Sequence, residues 1–288
     1  MSGGLTDGVH IHAEYVPEPD RLSPNGAKKL LPPSTPARFD YDRKHPQKPK
    51  RVYDFGAVAH KLVLGEGDQF LVLDPEIHGL KKDGTVADNP RATGAWKEAE
   101  SNARDEGLIP IHVEDFNKAV EMAQVVHAHE TAGPLLRDGD PEVWMYWTDS
   151  ESGCKMRQRA DFITRRDGRL TIIEYKTAAD ASPEAFSRTV FRYGYHIAAA
   201  FGVTGAKTLG LDADPAYVIV AQEKEPPYLV SVHELDTEAI LYSQRQMREA
   251  ISTFQRCTET GQWPGYPVGI NPIPLPLWAV DDEMEFAE

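Results

Sequence analysis

Residues 157–176 read Arg157-Gln158-Arg159-Ala160-Asp161-Phe162-Ile163-Thr164-Arg165-Arg166-Asp167-Gly168-Arg169-Leu170-Thr171-Ile172-Ile173-Glu174-Tyr175-Lys176. An Asp-Gly pair between runs rich in β-branched residues is a strong hairpin signal, because both turn positions need positive φ. With Asp167-Gly168 as the turn, Arg166 faces Arg169 and, counting outward, Asp161 faces Glu174. Opposed residues share a sheet face with Cβ atoms roughly 4.5–5.5 Å apart, and two like charges there destabilise the pair unless a positive group lies between them. Lys176 falls on the same face, since side chains alternate along a strand. Away from these three residues both strand faces are apolar, with Phe162 opposite Ile173 and Ile163 opposite Ile172. The hairpin therefore reads as the covered centre of a sheet.

The rest of the chain fits an ordinary globular frame. Its 288 residues are 41% apolar and 26% charged, enough for one sizeable core with a small appended lobe. No apolar run approaches the ~18 residues that span a bilayer, and no basic segment followed by an apolar one opens the chain; both point to a cytoplasmic protein. Cys154 and Cys257 are too few for a disulfide framework and exclude a four-cysteine iron–sulfur cluster. The net charge of −14 argues against a simple nucleic-acid coat protein. It leaves room for an enzyme acting on nucleic acid, which needs only a local basic surface. Positive charge is indeed clustered, at Arg43, Lys44, Lys48, Lys50 and Arg51, at Lys155, Arg157, Arg159, Arg165, Arg166 and Arg169, and at Arg188 and Arg192.

Along the chain, residues 1–50 read as an arm or lid with short helices near Pro24–Leu31 and Pro36–Tyr41. Residues 51–280 make the main domain, and 281–288 an acidic tail. Asp54 is placed as the N-cap of a helix over Phe55–Leu64. The turn-rich stretch Leu73–Gly94 reads as a mobile loop, followed by helices over Ala92–Glu106 and Glu114–Thr131. A β core begins with Glu142–Thr148 and continues through the hairpin. Ser182-Pro183-Glu184 starts a helix expected to run to Phe201. Tyr217–Gln222 and Tyr228–His233 form a further strand pair, and Thr237–Thr260 a long helix before a proline-rich coil. The expected class is α/β, an α+β layered domain with a central mixed sheet flanked by helices.

Asp-X12-Glu-X-Lys on a hairpin resembles the core of the PD-(D/E)XK nuclease superfamily. Two hard carboxylates suit Mg²⁺, with Mn²⁺ able to substitute, and a lysine beside them suits an attacking water or a pentacovalent phosphate. Other segments narrow the resemblance. The helix Gly56-Ala57-Val58-Ala59-His60-Lys61-Leu62-Val63-Leu64 is similar to the RecB-type helix that supplies a metal-binding histidine. The segment Glu142-Val143-Trp144-Met145-Tyr146-Trp147 is similar to the Glu-bearing first core strand. Glu174-Tyr175-Lys176-Thr177, Asp180-Ala181-Ser182-Pro183, Tyr195-His196, Gln222-Glu223-Lys224-Glu225-Pro226-Pro227-Tyr228 and Trp263-Pro264-Gly265-Tyr266 resemble RecE-type phage exonucleases, the exodeoxyribonuclease VIII family.

By that resemblance His60, Asp161 and Glu174 ligate metal, Lys176 assists catalysis, and Glu142 binds a second metal or orients water. Arg159 either meets a phosphate or bridges to a site acid. Arg188, Arg192 and Tyr195, at helical spacing, together with His196 are assigned to DNA. The sequence departs from the family where a Gln and a Tyr are usual, carrying Ala198 and Gly202 instead. The resemblance implies a Mg²⁺-dependent double-stranded DNA exonuclease that leaves 3′ tails for a single-strand annealing recombinase, as a ring-like homo-oligomer on DNA ends. The alternatives are another RecB-like repair nuclease, cutting internally or on single strands, and a catalytically silent DNA-binding subunit. Opposed carboxylates also serve glycosidases, but the adjacent lysine and clustered arginines fit phosphate better.

Overall fold

A computed structural model describes residues 7–11, 18, 20–45 and 53–275. Lys48, Lys50, Arg51 and the acidic tail lie outside the described residues. The hairpin forms as read, from β5 (Lys155–Arg166) and β6 (Arg169–Ala178). Asp167 and Gly168 have φ of 51° and 82°, the positive values that a two-residue turn of this hand requires. Pairing runs from Arg166–Arg169 to Phe162–Ile173 and stops one step short of the expected Asp161–Glu174 pair. There the Tyr175 N–H donates to Asp161 Oδ2 instead, at 2.9 Å. A side-chain oxygen has taken the place of a ladder partner, and this loosening of the sheet is where the site forms.

Around the hairpin stands a six-stranded sheet in the order β1 (Gly8–His10), β4 (Gly139–Thr148), β5, β6, β7 (Ala216–Glu223), β8 (Val230–Glu234). The β6–β7 pair is parallel and the other pairs antiparallel, so the sheet is mixed. The parallel pair needs a crossover, supplied by α8 (Pro183–Tyr193) and α9 (Tyr195–Thr208). The sequence reads this segment as one helix to Phe201. Gly194 breaks it, with φ of 66° in the left-handed region that ends helices.

Alternate residues of the sheet feed two cores. Ile172, Met145 and Ile219 pack with Phe201 of α9 and with Ile251 and Phe254 of α10 (Thr237–Thr260). Ile173, Phe162 and Val220 pack on the other face with Val58 of α3 (Asp54–Leu64) and Val126 of α6 (Val113–Ala128). Apolar residues on both faces of the hairpin thus do what a covered central strand requires. Two short N-terminal helices, α1 (Pro24–Leu30) and α2 (Pro36–Lys44), lie against α9 and α10. Arg248 of α10 bridges to Asp149 and ties the β4–β5 turn to that face.

Two local expectations need correction. Asp54 is the first helical residue of α3 rather than its cap; its carboxylate is taken by Arg104 at 2.6 Å. The stretch from Leu73 to Gly94 is turn-rich as read, but it also carries two short helical pieces and a Leu80–Val86 bridge. β2 (Phe70–Leu73) pairs in parallel with β3 (Ile109–His112), and α4 (Pro75–His78), a 3-10 turn at Pro90–Ala92 and α5 (Gly94–Asp105) connect them around buried Trp96. Its polar residues line the outside of this small lobe. α7 (Ala132–Leu135) completes the α3–α6 layer. Among the described residues no helix is long and apolar enough to cross a membrane.

Candidate metal centre

Where β5 and β6 part, Asp161 is 7% exposed and both its oxygens are engaged. Oδ2 accepts from the Tyr175 N–H and lies 3.3 Å from Lys176 Nζ, while Oδ1 faces His60 Nε2 of α3 at 3.2 Å. Burial alone would push this carboxyl up. Lys176 and His60 outweigh burial and hold it well below the usual carboxylate range. The same contacts act in reverse on their partners. Lys176, between Asp161 and Glu174 (2.7 Å to Oε1), is raised above an ordinary lysine despite burial and stays charged. His60 is likewise depressed by burial but raised on balance by Asp161 and Glu142.

Glu142 enters from β4 in an unusual way. Its φ is 54°, although Pro141–Phe162 and Val143–Ala160 keep the same register on either side. A left-handed residue inside a strand costs on the order of 1–2 kcal/mol for a side chain other than glycine. The distortion carries the Glu142 carboxylate to His60, with Oε1 3.5 Å from Nδ1, while Arg159 holds Oε2 at 2.6 Å. Burial raises the Glu142 pKa, with Arg159 and His60 opposing.

One ligand atom each from His60, Glu142 and Asp161 lies within 4.8 Å of the others. Glu142 Oε1 is buried with no hydrogen-bond partner, so the group contains an acceptor that a cation would satisfy. An imidazole and two carboxylates form a hard donor set suited to Mg²⁺ or Mn²⁺. Glu174 stands beside this group rather than in it: its oxygens go to Lys176 and to the Tyr217 hydroxyl, which donates to Oε2 at 2.7 Å.

The centre opens into a cavity of about 1150 Å³. Its walls carry the rings of Trp144, Tyr53, Phe55 and Tyr195, the cations Lys28, Lys118, Arg157 and Lys224, and the acids Asp68, Asp115 and Glu225. The other expected DNA contacts separate. Tyr195 lies on the wall. Arg159 is at the centre, as the bridge to a site acid. Arg188 and Arg192 are exposed on α8 and do not line the cavity. The assignment of His196 to DNA is corrected: the ring is buried, stacked on Phe191, and its nitrogens face Val190 O and Gln246 Oε1. The Gly194 break turns α9 so that His196 points between helices and Tyr195 into the cavity.

Tyr217, Gln158 and Lys28 were not singled out from sequence. The available signal was the pair Ala198 and Gly202, small residues one helical turn apart. A Cβ on Gly202 would stand 3.1 Å from the Tyr217 ring and 3.3 Å from Gln158 Nε2. The missing helix side chains make room for groups supplied by the sheet.

A mixed sheet whose central hairpin joins Asp161 to Glu174 and Lys176, with Asp161 also one of three residues that could hold a metal, is the arrangement of a PD-(D/E)XK nuclease-like core. Residues 31–271 match the PDDEXK-like domain of unknown function (DUF3799), and the chain belongs to that family. The crystal structure of a candidate exonuclease from Eubacterium rectale shares the fold at 11% identity, covering 87% of this chain and 91% of that one with a TM-score of 0.54. Protein SSO0001 aligns at 12% identity over 72% of this chain and 87% of that one, with a TM-score of 0.29. Protein VC1899 from Vibrio cholerae aligns at 14% identity over 83% of this chain and 57% of that one, with a TM-score of 0.23. Among curated proteins none matches the chain.

Proposed function

We propose that the protein is a Mg²⁺-dependent exonuclease of double-stranded DNA that leaves 3′ single-stranded tails for an annealing recombinase, working as a ring-like homo-oligomer on DNA ends. The observation that carries the reading is the convergence of Asp161, Glu174 and Lys176 with His60 and Glu142 in a cavity lined by aromatic rings and charged side chains of both signs. Membership of the PDDEXK-like family supports phosphodiester chemistry, and a structural neighbour described as a candidate exonuclease supports action from an end.

A divalent ion on His60, Glu142 and Asp161 would supply Lewis acidity toward phosphate and a more acidic water. The chain's own residues do the rest. Lys176 keeps its proton and offers a fixed positive charge where negative charge grows on the phosphate. Glu174, gripped by Lys176 and Tyr217, is fixed in orientation and can accept a proton as the nucleophile forms. Arg159 neutralises Glu142 without occupying Oε1, which stays available as a ligand.

The test is incubation with linear and covalently closed duplex DNA of one sequence, with Mg²⁺, Mn²⁺ or EDTA. Loss of the linear form alone, and only with metal, is expected. Nicking of the circle would overturn exonuclease action, and no cleavage of either would overturn the nuclease reading.

A further inference from the structure

The geometry points to a phosphate-binding subsite beside the metal centre, between α1 and α9, in which Lys28 and Gln158 hold a phosphate of the nucleic-acid strand. This rests on the nuclease reading and adds a binding group from α1, which precedes the family match at residues 31–271. Lys28 lines the same cavity as Glu174 and Lys176. Its ammonium lies 5.7 Å from the centre of the Tyr195 ring, and Lys176 lies 5.8 Å from the same ring. Two cations therefore flank one aromatic side chain at the mouth of the site.

Among the described residues no carboxylate lies within ion-pair distance of Lys28; its one hydrogen bond, to Asn25 Oδ1, is long at 3.4 Å. The neighbouring Lys29 shows the contrast, being paired with Asp42 at 2.7 Å. The position of Lys28 is also built in. Its stem passes so close to Gly194 that a Cβ there would stand 3.0 Å from two of its carbons. Burial pushes its pKa down to about 8, a cost that an anion would reverse.

Gln158 supplies the second, independent observation. It is 2% exposed and lines the same wall beyond Ala198, yet neither amide atom has a hydrogen-bond partner. It lies alongside the Tyr217 phenol. An unpartnered buried amide costs about 1–3 kcal/mol, so a ligand able to accept its N–H is strongly favoured there. A cation and an amide donor beside a ring suit a phosphate with its sugar. That phosphate is either an internal diester or a terminal monoester.

The test compares wild type, Lys28→Ala, Lys28→Arg, Gln158→Leu and the control Lys29→Ala. Binding of short blunt duplexes carrying a 5′-phosphate, a 3′-phosphate or only hydroxyl ends is measured by fluorescence anisotropy in EDTA, with cleavage kinetics in Mg²⁺ alongside. Lys28→Ala should weaken binding and raise KM on the order of tenfold with kcat within about twofold. Lys28→Arg should restore most of the loss, Gln158→Leu should share it, and Lys29→Ala should match wild type. Equal loss on all duplexes supports a diester; loss confined to one phosphorylated end supports a terminal monoester. Unchanged binding by both Lys28→Ala and Gln158→Leu would overturn the subsite, even with wild-type cleavage intact. Tenfold weaker binding with no cleavage by wild type would uphold the subsite and sink the nuclease reading alone.

Discussion

Replacing Tyr217 by Phe removes one oxygen atom from the interior and leaves the ring in the notch that Gly202 provides. That oxygen donates to Glu174 Oε2 at 2.7 Å from a residue 1% exposed. A hydrogen bond to a buried charge contributes about 1.5–3 kcal/mol. Glu174 keeps its 2.7 Å contact with Lys176, so the variant folds, but one carboxylate oxygen is free to turn. If correct aim of Glu174 matters only as the reaction proceeds, most of that energy is lost from the barrier, which lowers kcat by about 10- to 100-fold. The folded state loses part of the same contact, so the melting temperature should fall by about 1–5 °C. The assays are steady-state cleavage of linear duplex DNA and calorimetric melting without metal. A variant that melts lower but cleaves within twofold of wild type would refute the positioning role and leave the hydroxyl as structure only.

Asp161→Asn keeps shape and removes charge; it should abolish Mn²⁺ uptake in calorimetry and metal-dependent cleavage while circular dichroism stays native. Lys176→Ala should slow cleavage by on the order of a hundredfold and leave metal affinity within a few-fold, so complete loss of metal uptake would contradict its assigned role. His60 must lose its proton to bind metal, and its pKa is raised above the ordinary ~6.5, so Mn²⁺ affinity should climb up to about tenfold per pH unit through neutrality and then level off. In the metal-free protein the His60 contribution to stability is complete below about pH 6.5 and fades as pH rises through the raised value, so melting should fall slightly on the alkaline side and recover with Mn²⁺. Glu142→Gly relieves a left-handed carboxylate-bearing residue worth about 1–2 kcal/mol; it should lose metal binding with a melting temperature no lower than wild type, and a drop beyond about 5 °C would count against strain at that position.

The hairpin was legible because turn chemistry and side-chain alternation are local: Asp167-Gly168 fixed the pairing from Arg166 to Phe162 without knowledge of the rest. The long helix Thr237–Thr260 was equally plain, with Asp236 capping it. What escaped depends on contacts distant in sequence. The break at Gly194 looks like a tolerated helical glycine until α1 lays Lys28 across it. The left-handed backbone at Glu142 has no local sequence signature, since its carboxylate meets His60 of α3 and Arg159 of β5, both distant in sequence. Tyr217 reads as one more aromatic strand residue until Gly202 opens the face of α9 to it. Local rules located the carboxylates, and long-range packing decided which of them gather around His60.

The ion pairs of the centre amount to an internal set of counter-ions. Three carboxylates, Glu142, Asp161 and Glu174, meet two permanent cations, Arg159 and Lys176, and one titratable ring, His60. With His60 protonated the cluster is neutral without any bound ion, so the chain can fold and wait in a metal-poor setting. On the proposed function, loading would be an exchange, in which a divalent ion enters as a proton leaves and the surroundings gain one positive charge. A charge that appeared only on loading would make the loaded protein the tighter binder of polyanions, which would couple readiness to act with the grip on a strand.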